Sequence, residues 1–407
     1  MQKAKSFVKT LFRIITFKRI ALAWVGLALF SAGVLVGQGK LIVSSSHNTS
    51  NSKLPAKLNY SQLDAVYQAL KDNYDGTLTE QQVLNGLKHG LAQSTKDPYT
   101  EFFTADESKQ FSNDLQGTIS GIGAKLDLDG DGYVTVVAPI SGSPADQAGL
   151  KAKDIITQID SKSTSGMTTN EAVLKIRGKK GTKVTLTVVR DKKQQLEFTI
   201  TRDDIHVPSV ESKILDGNVG YMQVSQFSDD TDELAREAVQ KFKDAGVKKV
   251  VLDLRDNPGG EVTSAVGLCS LWLDGNQVVV QQKSSGGMVD ITKATGSDPM
   301  LRSMQTVVLI NNGSASASEI TALALRDQVN ARLIGEKSYG KGVVQQLLPF
   351  SDGSSLKVTV AKWYSPKGAN INNKGITPDQ TVTPSDEDFK NKNDVQLQAA
   401  QAWLASK

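Results

Sequence analysis

Apolar residues recur along this 407-residue chain in several rhythms, and each rhythm predicts a different kind of structure. Residues Ile20 to Gly37 form an 18-residue stretch without a charge, just long enough to span a bilayer. From about 57 to 114 the spacing is helical: Leu63, Val66, Tyr67 and Leu70, then Val83, Leu84, Leu87 and Leu91. Thr104-Ala105-Asp106-Glu107 has the capping-box pattern that starts a third helix. Between about 115 and 203 the texture switches to short β-rich runs, Tyr133 to Ala138, Ile155 to Ile159 and Val184 to Val189. Beyond about 204 strands alternate with helices: Val250 to Leu254, a helix after Gly260, Thr306 to Ile310, a helix from about Ser316, then Gly342 to Leu347 and Leu356 to Val360. That alternation predicts an α/β layer architecture. No repeat with a period of 20–50 residues is present.

Composition and charge refine this picture at its N-terminal end. Hydrophobic content of 39% and charged content of 22% are ordinary for a chain that folds in water, and the length implies two to four domains. The formal net charge is +4, yet Lys3, Lys5, Lys9, Arg13, Lys18 and Arg19 crowd the first nineteen residues without an acid, and the remainder is slightly acidic. The basic balance belongs to the tail and gives nucleic-acid binding no support. Basic residues ahead of an apolar run stay cytoplasmic, which predicts a single-pass anchor in the cell membrane with an extracytoplasmic body. A cleaved signal peptide is the alternative. Its apolar region would span only about 7–15 residues, and the small residues Ser31-Ala32-Gly33 fall in the middle of the run. Cys269 is the one cysteine, so no intrachain disulfide can form; within Val266-Gly267-Leu268-Cys269 it reads as a small buried hydrophobe.

The expected organisation is therefore multidomain α/β (α+β): a basic tail over 1–19, a transmembrane anchor over 20–37 and a Ser/Asn-rich linker over 38–56. A helical region over 57–114, a β-rich domain over 115–203 and an α/β domain over 204–407 follow.

Four signals follow in order within the β-rich region. A glycine turn, Gly121-Ile122-Gly123-Ala124, precedes a strand. Ser143-Pro144-Ala145 sets an N-cap before a proline, Ala148-Gly149-Leu150 closes that short helix, and Asp154-Ile155-Ile156 opens the next strand. This order resembles the PDZ domains of bacterial proteases. Backbone N–H groups in such a glycine loop can cradle a chain-terminal carboxylate while the next strand edge pairs with the peptide. Asp127-Leu128-Asp129-Gly130-Asp131-Gly132 copies the start of an EF-hand loop, but its twelfth position is Ala138 and no helices flank it. A hairpin turn is the expectation there.

Candidate chemistry lies in the C-terminal region. The three histidines are His47 in the linker, His89 in the helical region and His206 after the β-rich region. A Ser-His-Asp triad must use one of them, and nothing recommends any. Lysine is the other base known to serve a serine. The serine-rich segment Asn311-Asn312-Gly313-Ser314-Ala315-Ser316-Ala317-Ser318-Glu319 follows an apolar strand and precedes a helix. A serine at such a turn projects from a fixed backbone, and the helix's first N–H groups can stabilise an oxyanion. Ser316-Ala317-Ser318-Glu319 is equally a capping box, so Ser316 as a simple helix cap stays open.

Downstream stands Glu336-Lys337-Ser338-Tyr339-Gly340-Lys341-Gly342-Val343-Val344-Gln345, with Lys341 25 residues after Ser316; upstream stands Leu254-Arg255-Asp256-Asn257-Pro258-Gly259-Gly260. With these segments the chain closely resembles the carboxy-terminal processing proteases, also called tail-specific proteases. That family joins a helical N-terminal region, a PDZ domain and a core like the crotonase and Clp-protease folds. The resemblance covers about residues 57–407, including Asp97-Pro98-Tyr99-Thr100 and Gly375-Ile376-Thr377-Pro378-Asp379. It implies Ser316 as nucleophile, Lys341 as general base and Gln345 as the residue orienting the lysine. Ala317 N–H and a glycine N–H from Gly259 or Gly260 would form the oxyanion hole. Lys337 is a rival base, and Ser314 and Ser318 are rival nucleophiles that the family pattern sets aside. Arg177, in Ile176-Arg177-Gly178, either couples the PDZ domain to the active site or is a solvated turn residue.

The implied activity is serine-type endopeptidase action on extracytoplasmic proteins recognised by their free C-terminal tails through the PDZ domain. A neutral lysine near pH 7 requires about 4–5 kcal/mol of desolvation and charge repulsion, which only a lysine shielded from water can meet. Neither a cofactor nor a metal is implied. A catalytically inactive PDZ-bearing membrane scaffold and an acyl-transfer enzyme on a crotonase-like core remain the alternatives, and homo-oligomerisation is left open.

Overall fold

A computed structural model describes residues 58–191, 193–296 and 298–407. The basic tail, the apolar run and the linker lie outside the described residues, as does His47. Among the described residues no helix is long and apolar enough to cross a membrane. The described chain divides into two compact units, one built from residues 58–108 and 345–359, the other from 109–344 and 360–407.

In the first unit the helical spacing gives α1 (Ser61–Asn73) and α2 (Glu80–Gln93). Thr79 caps α2, with the Gln82 side chain returning to the Thr79 N–H at 2.8 Å. Strand β1 (Glu101–Phe103) pairs antiparallel with residues 355–357 and buries Phe102 and Phe103. Thr104 starts α3 (Ala105–Leu115) through its N–H bond to Glu107 at 2.8 Å. The apolar stripes of α1 and α2 are helical as expected but not buried: Val66 is 59% and Leu91 61% exposed.

In the second unit α3 leads through β2 (Thr118–Gly121) into a β-rich subdomain. Its elements are β3 (Ala124–Leu128), β4 (Val134–Pro139), α4 (Pro144–Gln147), β5 (Ile155–Ile159), β6 (Lys162–Ser163), α5 (Thr169–Ile176), β7 (Lys183–Arg190) and β8 (Gln194–Thr201). The sheet order is β3-β4-β5-β7-β8, with β6 on β5, so β3 is an edge strand. Val134, Val136, Ile156, Val184, Leu186 and Val188 alternate inward to form its core. The Asp127–Gly132 segment is the expected hairpin turn; Asp129 Oδ1 accepts the N–H of Asp131 (3.0 Å) and of Tyr133 (2.9 Å). Ser143 caps α4, accepting the Asp146 N–H at 3.3 Å. The chain returns through β9 (Asp203–His206), which pairs with β2.

The remaining elements in chain order are β10 (Val210–Leu215), β11 (Val219–Val224), α6 (Thr231–Asp244), β12 (Lys249–Asp253), α7 (Val262–Cys269), β13 (Val278–Ser284), β14 (Val289–Lys293), β15 (Gln305–Ile310), α8 (Ala317–Val329), β16 (Arg332–Gly335), β17 (Val343–Pro349), β18 (Ser355–Tyr364), β19 (Gln380–Thr381), α9 (Asp386–Lys390) and α10 (Val395–Ala405). Most of β17 and the first half of β18 fall in the first unit, and six of the other strands form one sheet in the second. The order β10-β11-β12-β15-β16-β19 is parallel except for β10. Both faces are covered, which is why these strands read as continuous apolar runs. Val250, Leu252, Val308 and Leu333 meet α6, α7 and α8 on one face, while Val251, Val307, Leu309 and Ile334 meet Ala400 and Leu404 of α10 on the other. Helix α10 is tied down at its start: Asp394 caps it and pairs with Arg255 (2.7 Å), which also grips Asp253 (2.6 Å).

Because α10 covers the second face, Leu404→Ala should cost about 2–4 kcal/mol of stability. Leu63→Ala, on an exposed stripe, should stay within about 0.5 kcal/mol. Urea unfolding followed by tryptophan fluorescence measures both. An L404A midpoint equal to wild type would mean that α10 is not part of the cooperative core.

Candidate active site

Three neighbouring parallel strands, β12, β15 and β16, end side by side, and the loop leaving each carries one set of candidate residues. Ligand sites of parallel α/β sheets characteristically lie beyond the carboxyl ends of the strands. The first loop, 254–261, is organised by the buried Asn257. Its Oδ1 accepts the Gly259 N–H (2.8 Å), its Nδ2 donates to Val224 O (2.7 Å), and its carbonyl accepts the Ala315 N–H (3.0 Å) and the Ser318 hydroxyl (2.9 Å). The second loop is joined to the first where Asn311 Oδ1 accepts the Asp256 N–H at 2.9 Å. The third loop joins the second through Tyr339 N–H to Ser314 O at 3.0 Å.

Ser316 sits at the N-cap of α8 with φ 54° and ψ −114°, a strained backbone for a residue with a Cβ. Its two rivals are committed elsewhere. Ser314 is fully buried and donates to Leu254 O at 2.7 Å, and Ser318 is fully buried and donates to Asn257 O. Ser316 is half-buried, and among the described residues no carbonyl takes its O–H. Gly259, at φ 103°, passes directly beneath it: a Cβ there would lie 2.8 Å from Ser316 Cβ and 3.0 Å from Ala317 N, so only glycine permits this approach. The Gly259 N–H is taken by Asn257, whereas the N–H groups of Gly260 and Ala317 have no protein acceptor among the described residues.

The third loop alternates between solvent and core. Lys337 and Tyr339 are exposed, Ser338 and Gly340 are buried, and Lys341 is half-buried. The Lys341 carbonyl accepts the Trp363 indole N–H at 2.8 Å. Most of the loop's polar groups converge on the fully buried Glu319. Its Oε1 accepts the Ser338 hydroxyl (2.5 Å) and the Gly340 N–H (2.7 Å), and its Oε2 accepts the N–H groups of Ser316 (2.9 Å) and Lys341 (2.9 Å). Burial pushes the Glu319 carboxyl above the ordinary carboxylate range, and the four donors only partly pull it back.

Gln345 lies on β17 in the first unit, where its Nε2 reaches Thr359 Oγ1 at 3.4 Å. The segment is a strand that begins two residues after Lys341, as its β-rich composition predicts. The two described histidines have partners elsewhere, and neither is buried. His89 lies edge-on to Phe102 at 5.2 Å, and His206, its side chain half-exposed, pairs with Asp230 at 2.8 Å. Against the cost of its own burial, Ser209, Ser228 and His206 together hold the Asp230 carboxyl below its usual range. Cys269 is fully buried, and desolvation pushes its thiol up to about 12.

In the β-rich subdomain a largely apolar groove opens between the free edge of β3 and α5, lined by Ala124, Leu126, Ile140, Val173 and Ile176, with Arg177 at its end. Gly121 pairs with Asp203 in the β2–β9 ribbon. The N–H groups of Ile122 and Gly123 have no protein acceptor among the described residues. Gly123 has φ 76°, and a Cβ there would lie 2.4 Å from Ser143 Cβ. The Ile122 side chain is 2% exposed and belongs to the subdomain core, so it supports the groove from below.

Sequence reading missed Glu319, Asn257, Ser338 and Trp363 as parts of this site. Glu319 was visible only as the acid of a capping box, and Asn257 only as a turn residue before Pro258.

Comparison with known proteins agrees with this architecture. A family model for peptidase family S41 matches residues 218–382, and one for a PDZ domain matches residues 135–190. The chain is 37% identical over 344 residues to the carboxy-terminal processing protease CtpA of Bacillus subtilis (strain 168), covering 84% of this chain and 72% of that protein. The solved photosystem II D1 C-terminal processing protease aligns with a TM-score of 0.50 at 27% identity, across 81% of this chain and 88% of that one. An S41 protease structure from Bacteroides fragilis NCTC 9343 is alike in fold, with a TM-score of 0.55 at 19% identity over 87% of this chain and 99% of that one.

The buried, high-pKa Cys269 should be inert in the folded protein. A disulfide reagent should titrate no thiol under native conditions and one thiol per chain in denaturant. Rapid native labelling would contradict its burial at the end of α7.

Proposed function

The chain belongs to peptidase family S41 and resembles a carboxy-terminal processing member over 344 residues, and we propose that it is an endopeptidase using Ser316 as nucleophile and Lys341 as general base. The observation that carries this reading is the convergence of the Ser316 and Lys341 backbones on one buried carboxylate, beside two N–H groups without protein acceptors among the described residues. In the proposed reaction Ser316 Oγ attacks the scissile carbonyl as Lys341 Nζ takes its proton. The oxyanion is held by the N–H groups of Ala317 and Gly260; Gly259, its own N–H taken, contributes the close approach instead. Lys341 then passes the proton to the leaving amine, and water hydrolyses the acyl-enzyme. Gln345 is assigned the orientation of Lys341. Lys337 is exposed, whereas Lys341 is half-buried.

The substrate's C-terminal tail is proposed to add as a strand along β3, its side chains in the apolar groove. Its carboxylate would meet the loop Gly121-Ile122-Gly123-Ala124, where the Ile122 and Gly123 amides are available. The apolar run at 20–37 with its basic flank supports a membrane-anchored enzyme acting outside the cytoplasm. A homo-oligomer would cover the exposed apolar stripes of α1 and α2.

Lys341→Ala and Ser316→Ala should each abolish peptidase activity, and the double variant should lose no more, because the two act as one unit. Lys341→Arg should fail as well, since a guanidinium keeps its proton. The wild-type kcat/KM should rise with pH as the amine deprotonates, and Lys337→Ala should cost far less. Robust turnover by K341R would remove lysine from the mechanism.

Val173→Asp places a charge in the groove without replacing a core residue, which Ile122 substitutions would do. It should weaken cleavage of tail-tagged substrates about tenfold or more, as expected for a charge in an apolar subsite, and leave cleavage of a generic unfolded substrate within about twofold. Equal losses on both would show that this groove is not the tail receptor.

A further inference from the structure

We propose that Glu319 is a positioning residue: its single carboxylate holds the nucleophile's loop and the base's loop at a fixed separation. The inference rests on the Ser316–Lys341 assignment and adds a fourth functional side chain to it. Glu319 lies in the first turn of α8, so its position is set by the helix. From there it reaches the backbone N–H of Ser316, three residues back, and that of Lys341, 22 residues on, with the same oxygen at 2.9 Å each. Its other oxygen takes Gly340 N–H and the Ser338 hydroxyl. Ser338 Oγ in turn accepts the Ile376 N–H at 2.7 Å, which directs the hydroxyl hydrogen at Glu319.

The four partners are therefore all donors. An ionised carboxylate is acceptor-only and fits them; a carboxamide or a protonated acid brings a hydrogen of its own toward a donor. The geometry also decides which amides face the substrate. With the Ser316 N–H turned to Glu319, the N–H groups of Ala317 and Gly260 remain for the oxyanion. A helix cap would need only the Ser316 bond, so the three bonds to the third loop require another explanation. Positioning of Lys341 supplies it.

Stability and catalysis are expected to separate at this residue. Because burial raises the carboxyl above its unfolded value, the folded protein binds this proton more tightly than the unfolded chain does. The ionised form therefore opposes folding at pH values above the folded pKa, and the opposition is relieved as pH falls through it. Removing the charge should not unfold the protein, whereas a displacement of about 1 Å between reacting groups costs about a hundredfold in rate.

The test compares Glu319→Gln, Ser338→Ala and Ser316→Ala with the wild-type chain. E319Q is expected to lower kcat about a hundredfold or more with KM for a tail peptide within about twofold, and to slow acylation of Ser316 by a fluorophosphonate probe in parallel. Its melting temperature should stay within a few degrees of wild type. S338A removes one donor of four and should give a smaller kcat loss in the same direction, which keeps the test open should E319Q fail to fold. If both fold and keep kcat within about threefold of wild type, Glu319 is only a helix cap. If E319Q raises KM while kcat holds, it acts on binding instead. Activity persisting in S316A would overturn the peptidase assignment itself, an outcome distinct from either.

Discussion

A carboxylate cannot be buried alone, and Glu319 is buried completely. Leaving an ion of that size unpaired in the interior costs several kcal/mol, so its four donors are a condition of folding as well as a feature of the site. Those donors come from the turn before α8, three residues away, and from the loop after β16, 19 to 22 residues away. Satisfying one anion thus brings together two loops more than twenty residues apart. The strained Ser316 backbone is tolerated in the same way, because Gly259 beneath it and Glu319 beside it over-determine its conformation.

The sheet supplies the frame on which that convergence is possible. Parallel strands all end at one edge, so adjacent β12, β15 and β16 deliver three loops to the same place although their chain positions differ widely. Each loop is then tied to its neighbour by hydrogen bonds through the Asn257 carbonyl, the Asn311 side chain and the Tyr339 N–H. Beneath them Arg255 links the first loop to Asp253 and to the cap of α10. The C-terminal helix is therefore braced against the chain that leads into Gly259 and Gly260, and its packing bears on the site without touching it.

The β-rich subdomain solves a different problem. A catalytic serine must meet many sequences, and a tail receptor must meet a free carboxylate. An open strand edge can recognise backbone and an apolar groove can recognise side chains loosely, so in the proposed reading β3 and α5 would provide breadth while the glycine loop would select chain ends. Division of labour between two sites in one unit lets the proposed cleavage chemistry stay generic.

The periodicities at Leu63–Leu70 and Val83–Leu91, the β-rich runs from Val134, and the alternation after Val250 were enough to read helices, subdomain and α/β layer. Local patterning carries that information because amphipathic spacing and turn chemistry act over a few residues. The same spacing did not reveal that α1 and α2 leave their stripes exposed, since burial depends on what packs against a helix. The motifs around Ser316, Lys341 and Gly260 were visible as segments, and the choice between Ser314, Ser316 and Ser318 came from family pattern alone. Tertiary structure distinguishes them physically: two of the hydroxyls are committed to backbone carbonyls from the neighbouring loop, and one is not. It likewise separates Gly259 from Gly260 by giving one amide to Asn257. Glu319 marks the boundary most clearly. In sequence it completes a four-residue cap; in the fold, strand order brings Ser338, Gly340 and Lys341, 19 to 22 residues further along the chain, to its oxygens, a juxtaposition that no local pattern encodes.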